Sequence, residues 1–200
     1  MIVYLHGFRS SPASRKATLL RQALAARGRA TECACPQLPA SPAQAIDVAL
    51  TLVRDLRVDE LVLIGSSLGG YYATWLAEQL GCRAVLLNPA IRPQDDLARY
   101  LGVQPVFFST EHIDFRPEYL AELEAIDTPR ITRPERYLLI AATGDAVIDC
   151  RSMTRKYAGA HQHVIVGSDH ELSDFARYIE EVLAFCDGQF ADAKGTGERE

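Results

Sequence analysis

Leu61-Val62-Leu63-Ile64-Gly65-Ser66-Ser67-Leu68-Gly69-Gly70-Tyr71-Tyr72-Ala73 is an apolar run that breaks into G-x-S-x-G and then resumes with helical spacing. That layout describes a sharp strand-to-helix turn presenting a serine hydroxyl, a nucleophile elbow. Glycines are required two residues before and two after the serine, because the turn presses backbone against backbone and leaves no room for a Cβ. Only Ser67 sits in this frame. Ser66 would need glycines where the chain has Ile64 and Leu68.

Outward from the elbow, short apolar runs alternate with helical patterns, which predicts βα units and a mostly parallel central sheet with helices on both faces, an α/β class. Strands are expected near 2 to 5, 31 to 35, 60 to 65, 84 to 88, 137 to 142 and 162 to 166. Helices are expected near 13 to 27, 42 to 57, 68 to 81, 150 to 158 and 172 to 186. The first helix reads as capped by Ser11, with Pro12 at its first position and Gly28 just past its end. Residues 90 to 134 break the rhythm, with Pro93, Pro105, Pro117, Pro129 and Pro134 punctuating a stretch that holds Tyr100, Phe107, Phe108, Phe115 and Tyr119. Two readings stand for this insertion: a cap that shapes a pocket, or a helical excursion that covers the sheet edge. Residues 1 to 187 then make a single domain, and the polar tail 188 to 200, with little to bury, is expected to be mobile.

Composition narrows the class. The 200 residues are 48% hydrophobic and 24% charged, ordinary for one soluble globular domain. A net charge of −5 with no cluster of lysine and arginine argues against nucleic acid as a partner. The N-terminus enters an apolar strand without a basic leader, and no apolar run nears the roughly 18 residues that span a bilayer. The expectation is a cytoplasmic protein with no membrane partner. Cys33, Cys35, Cys82, Cys150 and Cys186 are odd in number and several lie in apolar segments, as reduced buried thiols do. Cys33-x-Cys35 lacks both metal-ligand spacing and a second pair, so no metal is expected.

A serine hydroxyl needs a base to take its proton and a third group to orient the base. Both are available in the order serine, acid, histidine. The apolar run Tyr137 to Ala142 leads into Thr143-Gly144-Asp145-Ala146-Val147-Ile148-Asp149, and a carboxylate just past a strand's C-terminal end is where an orienting acid must sit. Asp145 is favoured for that place, and Asp149, which opens the next helical pattern, for an N-cap. His170 lies in the polar loop Gly167-Ser168-Asp169-His170-Glu171 beyond the next strand, suited to be the base. Asp169 reads as loop structure or solvated charge. Two backbone N–H groups can hold a developing oxyanion: that of Leu68, directly after the serine, and that of Phe8, in the turn opened by His6-Gly7.

Five motifs now lie in order: L-H-G-F-R-S-S-P, G-S-S-L-G-G-Y-Y-A, L-N-P-A at 87 to 90, T-G-D-A-V-I-D and G-S-D-H-E-L. Together they resemble the YqiA-like family of small bacterial α/β-hydrolase esterases over about residues 2 to 180. The resemblance implies an α/β-hydrolase fold and a serine carboxylesterase acting on short acyl esters, small-molecule substrates, without a cofactor. Carried over by position, it implies Ser67 as nucleophile, His170 as base, Asp145 as acid, and Phe8 and Leu68 as oxyanion donors. An acyl thioesterase would use the same groups, although no basic cluster is evident to hold a CoA phosphate. A binding protein on a hydrolase fold is the alternative outside enzymes.

Overall fold

The apolar runs become the strands of one parallel sheet in the computed structural model, which describes residues 1–107 and 109–190. In chain order the elements are β1 Ile2–Leu5, α1 Arg15–Ala25, β2 Cys33–Ala34, α2 Pro42–Val53, β3 Val62–Ser66, α3 Leu68–Leu80 and β4 Arg83–Leu87. After them come α4 Pro93–Leu97, β5 Gly102–Pro105, β6 His112–Phe115, α5 Glu118–Ala125, β7 Tyr137–Ala142, α6 Cys150–Lys156, β8 His161–Ile165 and α7 Ile179–Cys186. Six strands form the sheet in the order β2-β1-β3-β4-β7-β8, with every neighbouring pair parallel.

The central strands β1, β3 and β7 are buried along their whole length, which is why they read as unbroken apolar runs rather than alternating ones. Successive side chains still divide between the two faces. Val3, Leu63, Leu86 and Leu139 pack with α2 and α3 through Ile46, Ala49, Leu76 and Ala77. Tyr4, Ile64, Val85 and Ile140 pack with α1 and α7 through Leu20, Leu24, Val182 and Leu183. The result is the three-layered α/β-hydrolase arrangement, with all strand C-termini at one edge.

Four expectations need correction or completion. The first helix starts at Arg15 with Ser14, not Ser11, as its N-cap residue. Ser11 to Ser14 close a turn of their own, the Ser14 N–H donating to the Ser11 carbonyl at 3.0 Å, and the helical ladder begins only at Thr18 N–H to Ser14 O, 2.9 Å. The second strand shrinks to Cys33–Ala34 because Ala30–Glu32 coils into a 3-10 turn and Pro36 has no N–H to offer a ladder. The last helix begins at Ile179 rather than 172, since Leu172 has φ +47, which a helix cannot use, and Phe175–Tyr178 form a 3-10 turn. Within 90 to 134 the aromatic stretch holds an antiparallel hairpin, β5 with β6, between α4 and α5.

This segment is tied down at its far end. The Tyr71 hydroxyl donates to the Leu123 carbonyl at 2.8 Å. On α5, the Glu122 carboxylate accepts from the Ser41 hydroxyl at 2.7 Å and the Ala43 N–H at 3.0 Å, at the start of α2. Phe108, and the expected mobile tail from residue 191 onward, lie outside the described residues. Phe190, before that limit, packs edge-on against His161 and Phe185 at 5.1 and 5.3 Å.

Candidate active site

Ser67 stands between the end of β3 and the start of α3 with φ +53 and ψ −119, a conformation that costs a non-glycine residue roughly 1–3 kcal/mol. The surroundings force it. The Ser67 N–H donates to the Leu87 carbonyl at 3.0 Å, and the Ser67 carbonyl accepts from Gly70 at 2.9 Å and Ala90 at 3.0 Å. The flanking glycines leave no alternative: a Cβ on Gly65 would lie 2.2 Å from the Gly69 carbonyl oxygen, and one on Gly69 would lie 2.0 Å from that of Leu5. These contacts let α3 drop directly onto the ends of β1 and β3, with the serine hydroxyl at the apex.

Asp145 and His170 arrive at that apex from the ends of β7 and β8. His170 Nε2 is 3.0 Å from Ser67 Oγ, and His170 Nδ1 is 2.7 Å from an Asp145 carboxylate oxygen. The other Asp145 oxygen accepts from the N–H groups of Val147 and Ile148 at 2.7 and 2.9 Å, and the side chain is fully shielded from solvent. A carboxylate so bonded on both oxygens is fixed in place, and an acceptor against Nδ1 favours the His170 tautomer with its proton there, which leaves Nε2 free to accept. Asp149 instead accepts from Arg151 N–H at 3.1 Å as the N-cap of α6, and Asp169 accepts from Ser173 N–H at 2.9 Å within its own loop.

The turn after β1 comes close to the serine, since a Cβ on Gly7 would lie 3.3 Å from Ser67 Cβ and 3.8 Å from its Oγ. Among the described residues the Phe8 and Leu68 N–H groups have no hydrogen-bond partner. The Phe8 ring packs edge-on to Phe115 at 5.0 Å and tilted to Tyr100 at 5.9 Å, so the aromatic residues of the insertion hold this turn. A cavity of about 30 Å³ lies here, with Phe8, Leu38, Leu68, Tyr72, Val106 and Ile113 in its walls. The insertion reaches this cavity through Val106 and Ile113 of its hairpin.

Two buried residues at the site escaped the sequence reading of roles. His6 is 4% exposed; its Nε2 accepts the Leu38 N–H at 3.0 Å and its Nδ1 meets the Gly7 carbonyl at 3.0 Å, so it braces the turn that carries Phe8. Burial pushes this imidazole below its ordinary range. Asn88, the N of L-N-P-A, is fully buried with φ +43, and its Oδ1 accepts the N–H of Ala142, where the chain leaves β7 toward Asp145. A His-Gly pair and an asparagine past a strand end were visible, but nothing in their spacing announced these bonds.

All five cysteines are free thiols, and burial pushes Cys35 up to about 12 and Cys82 up to about 11. Among the described residues, no group of histidine, cysteine and carboxylate side chains is arranged to hold a metal ion, and no helix is long and apolar enough to cross a membrane.

The sequence model of the uncharacterised protein family UPF0227 matches residues 1–187. Similar solved structures include a protein of Agrobacterium vitis S4 proposed to be a hydrolase, with TM-score 0.73 at 17% identity over 92% of this chain and 87% of that one. Alpha/beta hydrolase domain-containing protein 10 from mouse gives TM-score 0.67 at 14% identity, over 94% and 90% of the two chains. Est1E from Butyrivibrio proteoclasticus, solved with ferulic acid bound, gives 0.65 at 13% identity, over 94% and 89%. At such identities the likeness is one of fold.

Proposed function

The chain belongs to the UPF0227 family, the YqiA-like family that its five motifs resemble, and we propose that it is a serine carboxylesterase acting on small, short-chain acyl esters. One observation carries the reading: Ser67 Oγ, His170 and the shielded Asp145 carboxylate lie in one line of contacts, at 3.0 and 2.7 Å, next to two backbone N–H groups that have no partner among the described residues. In this reading Ser67 attacks the ester carbonyl as His170 Nε2 takes its proton. The tetrahedral oxyanion is held by the N–H groups of Phe8 and Leu68, each worth about 3 kcal/mol in the transition state. Collapse expels the alcohol, which receives the proton from His170. Water, deprotonated by the same nitrogen, then attacks the acyl-serine and frees the acid.

The small cavity beside the elbow supports a short acyl group, and five free thiols fit a reducing compartment such as the cytoplasm. Ser67→Ala tests the reading directly. Hydrolysis of p-nitrophenyl butyrate falls by at least about a thousandfold and the fluorophosphonate adduct disappears, while the melting temperature stays near wild type. Wild-type turnover in that variant would overturn the assignment.

A further inference from the structure

The loop that carries His170 is held in an unusual way. Ser168 and Leu172, at its two ends, both have positive φ, +57 and +47. Between them, three consecutive carbonyls are each taken by a buried side chain from another element. The Asn88 carboxamide nitrogen, at the end of β4, donates to Asp169 O at 3.0 Å and to His170 O at 3.1 Å. Lys16 Nζ, from α1, donates to Glu171 O at 2.6 Å. Asn88 is fully buried and Lys16 is 5% exposed.

Lys16 is the more telling of the two. It projects from a helix whose other buried positions are Ala17, Leu20 and Leu24, where an apolar side chain would fill the same space without desolvating a charge. Its carboxylate contact, Glu171 Oε2 at 3.0 Å, belongs to a side chain that is 75% exposed and does not need it. What the ammonium does supply is a donor for a loop carbonyl one residue past His170.

We propose that Lys16 and Asn88 are positioning residues: they clamp the carbonyls of residues 169 to 171 and thereby fix the His170 imidazole between Ser67 and Asp145. Asn88 acts on the acid as well, because its Oδ1 holds the Ala142 N–H at 2.9 Å, three residues before Asp145. This rests on the reading of Ser67 as nucleophile. Neither residue lines the cavity beside the elbow; each acts by removing freedom from the base.

The test uses Lys16→Met and Asn88→Asp in the full chain. Methionine keeps the length of the stem without the ammonium, and aspartate accepts the same left-handed backbone and the Ala142 N–H without the amide donors. For Lys16→Met the melting temperature holds or rises, while kcat on p-nitrophenyl butyrate falls about tenfold to a hundredfold with KM within about twofold. A low-field proton signal from His170 Nδ1–H is expected in the NMR spectrum of the wild type, and it broadens or is lost in both variants. Wild-type kcat together with an intact signal would overturn the clamp, as would a loss of kcat that only follows a loss of fold. Should the wild type neither hydrolyse esters nor label at Ser67, the enzyme reading fails, and the NMR signal still decides whether the clamp orders the His170–Asp145 bond.

Discussion

In the proposed mechanism His170 takes a proton from Ser67 only while its own proton is pinned on Nδ1, and the group placed to pin it is Asp145 at 2.7 Å. Asp145→Asn would turn an amide N–H₂ or a neutral oxygen toward that nitrogen and release the tautomer, so kcat drops roughly a thousandfold to ten-thousandfold. Asp149→Asn, which keeps a capping side chain on α6, leaves kcat within about twofold. Parallel kinetics on the two variants check this, and the reverse ranking would exchange their roles. His6 gives a prediction of another kind. Burial depresses its imidazole from 6.5, and its Nε2 is committed to the Leu38 N–H, so the folded protein holds it neutral while the unfolded chain protonates it freely. Protons therefore favour the unfolded state: the stability is present above about pH 6.5 and is lost as pH falls from there toward the folded pKa. Between pH 7.5 and 5.5 the urea midpoint of the wild type falls more than that of His6→Asn, and equal falls would show that His6 does not report on folding. At this scale a frame or a position after a strand was enough to single out Ser67, Asp145 and His170, the three side chains that the structure brings together. His6, Lys16 and Asn88 stayed hidden because they hold backbone groups 32, 155 and 54 to 82 residues away, and such pairings leave no local pattern.

Elements with one strong period were legible, and those decided by a few backbone groups were not. β7 matches the expected 137 to 142, because a fully buried strand is apolar from end to end. The start of α1 slipped because two serines three residues apart compete for the cap, and the Ser11–Ser14 turn settles it. The hairpin Gly102–Phe115 stayed unread: its inward and outward residues alternate for only four positions on each strand, too few to stand out among the prolines. The elbow is the element whose design can be tested most sharply. Since a Cβ on Gly69 would sit 2.0 Å from Leu5 O, Gly69→Ala must lift α3 from the end of β1, at a cost on the order of 3 kcal/mol. For a domain of this size the melting temperature falls by roughly 6–12 °C. The separation of Ser67 from the Phe8 turn grows with it, so esterase activity falls further than the lost stability explains at temperatures where the variant is fully folded. A Gly69→Ala protein with wild-type melting and turnover would remove the close-approach argument.

At the scale of the whole molecule, the site draws on segments distant in sequence: the turn after β1, the loop around Leu38, the start of α3 and the β5–β6 hairpin together line a small open cavity of about 30 Å³. On the proposed function, an acetyl or butyryl group is expected to fit against Val106 and Ile113, and an octanoyl or decanoyl chain to press on the hairpin. That hairpin is anchored to the Phe8 turn, since the Phe107 N–H donates to the Arg9 carbonyl at 2.7 Å and Arg9 Nε donates to the Pro105 carbonyl at 2.7 Å. In the proposed mechanism long chains therefore disturb the Phe8 turn as well as running out of room. Along a p-nitrophenyl ester series kcat/KM peaks between two and four acyl carbons and falls at least about tenfold by eight, a difference of about 1.4 kcal/mol. Ile113→Ala, which shortens a wall residue of the hairpin without touching the Ser67 relay, moves the peak to longer chains. A flat profile, or one that rises with chain length in the wild type, would show that the hairpin opens freely and that this cavity does not set the substrate.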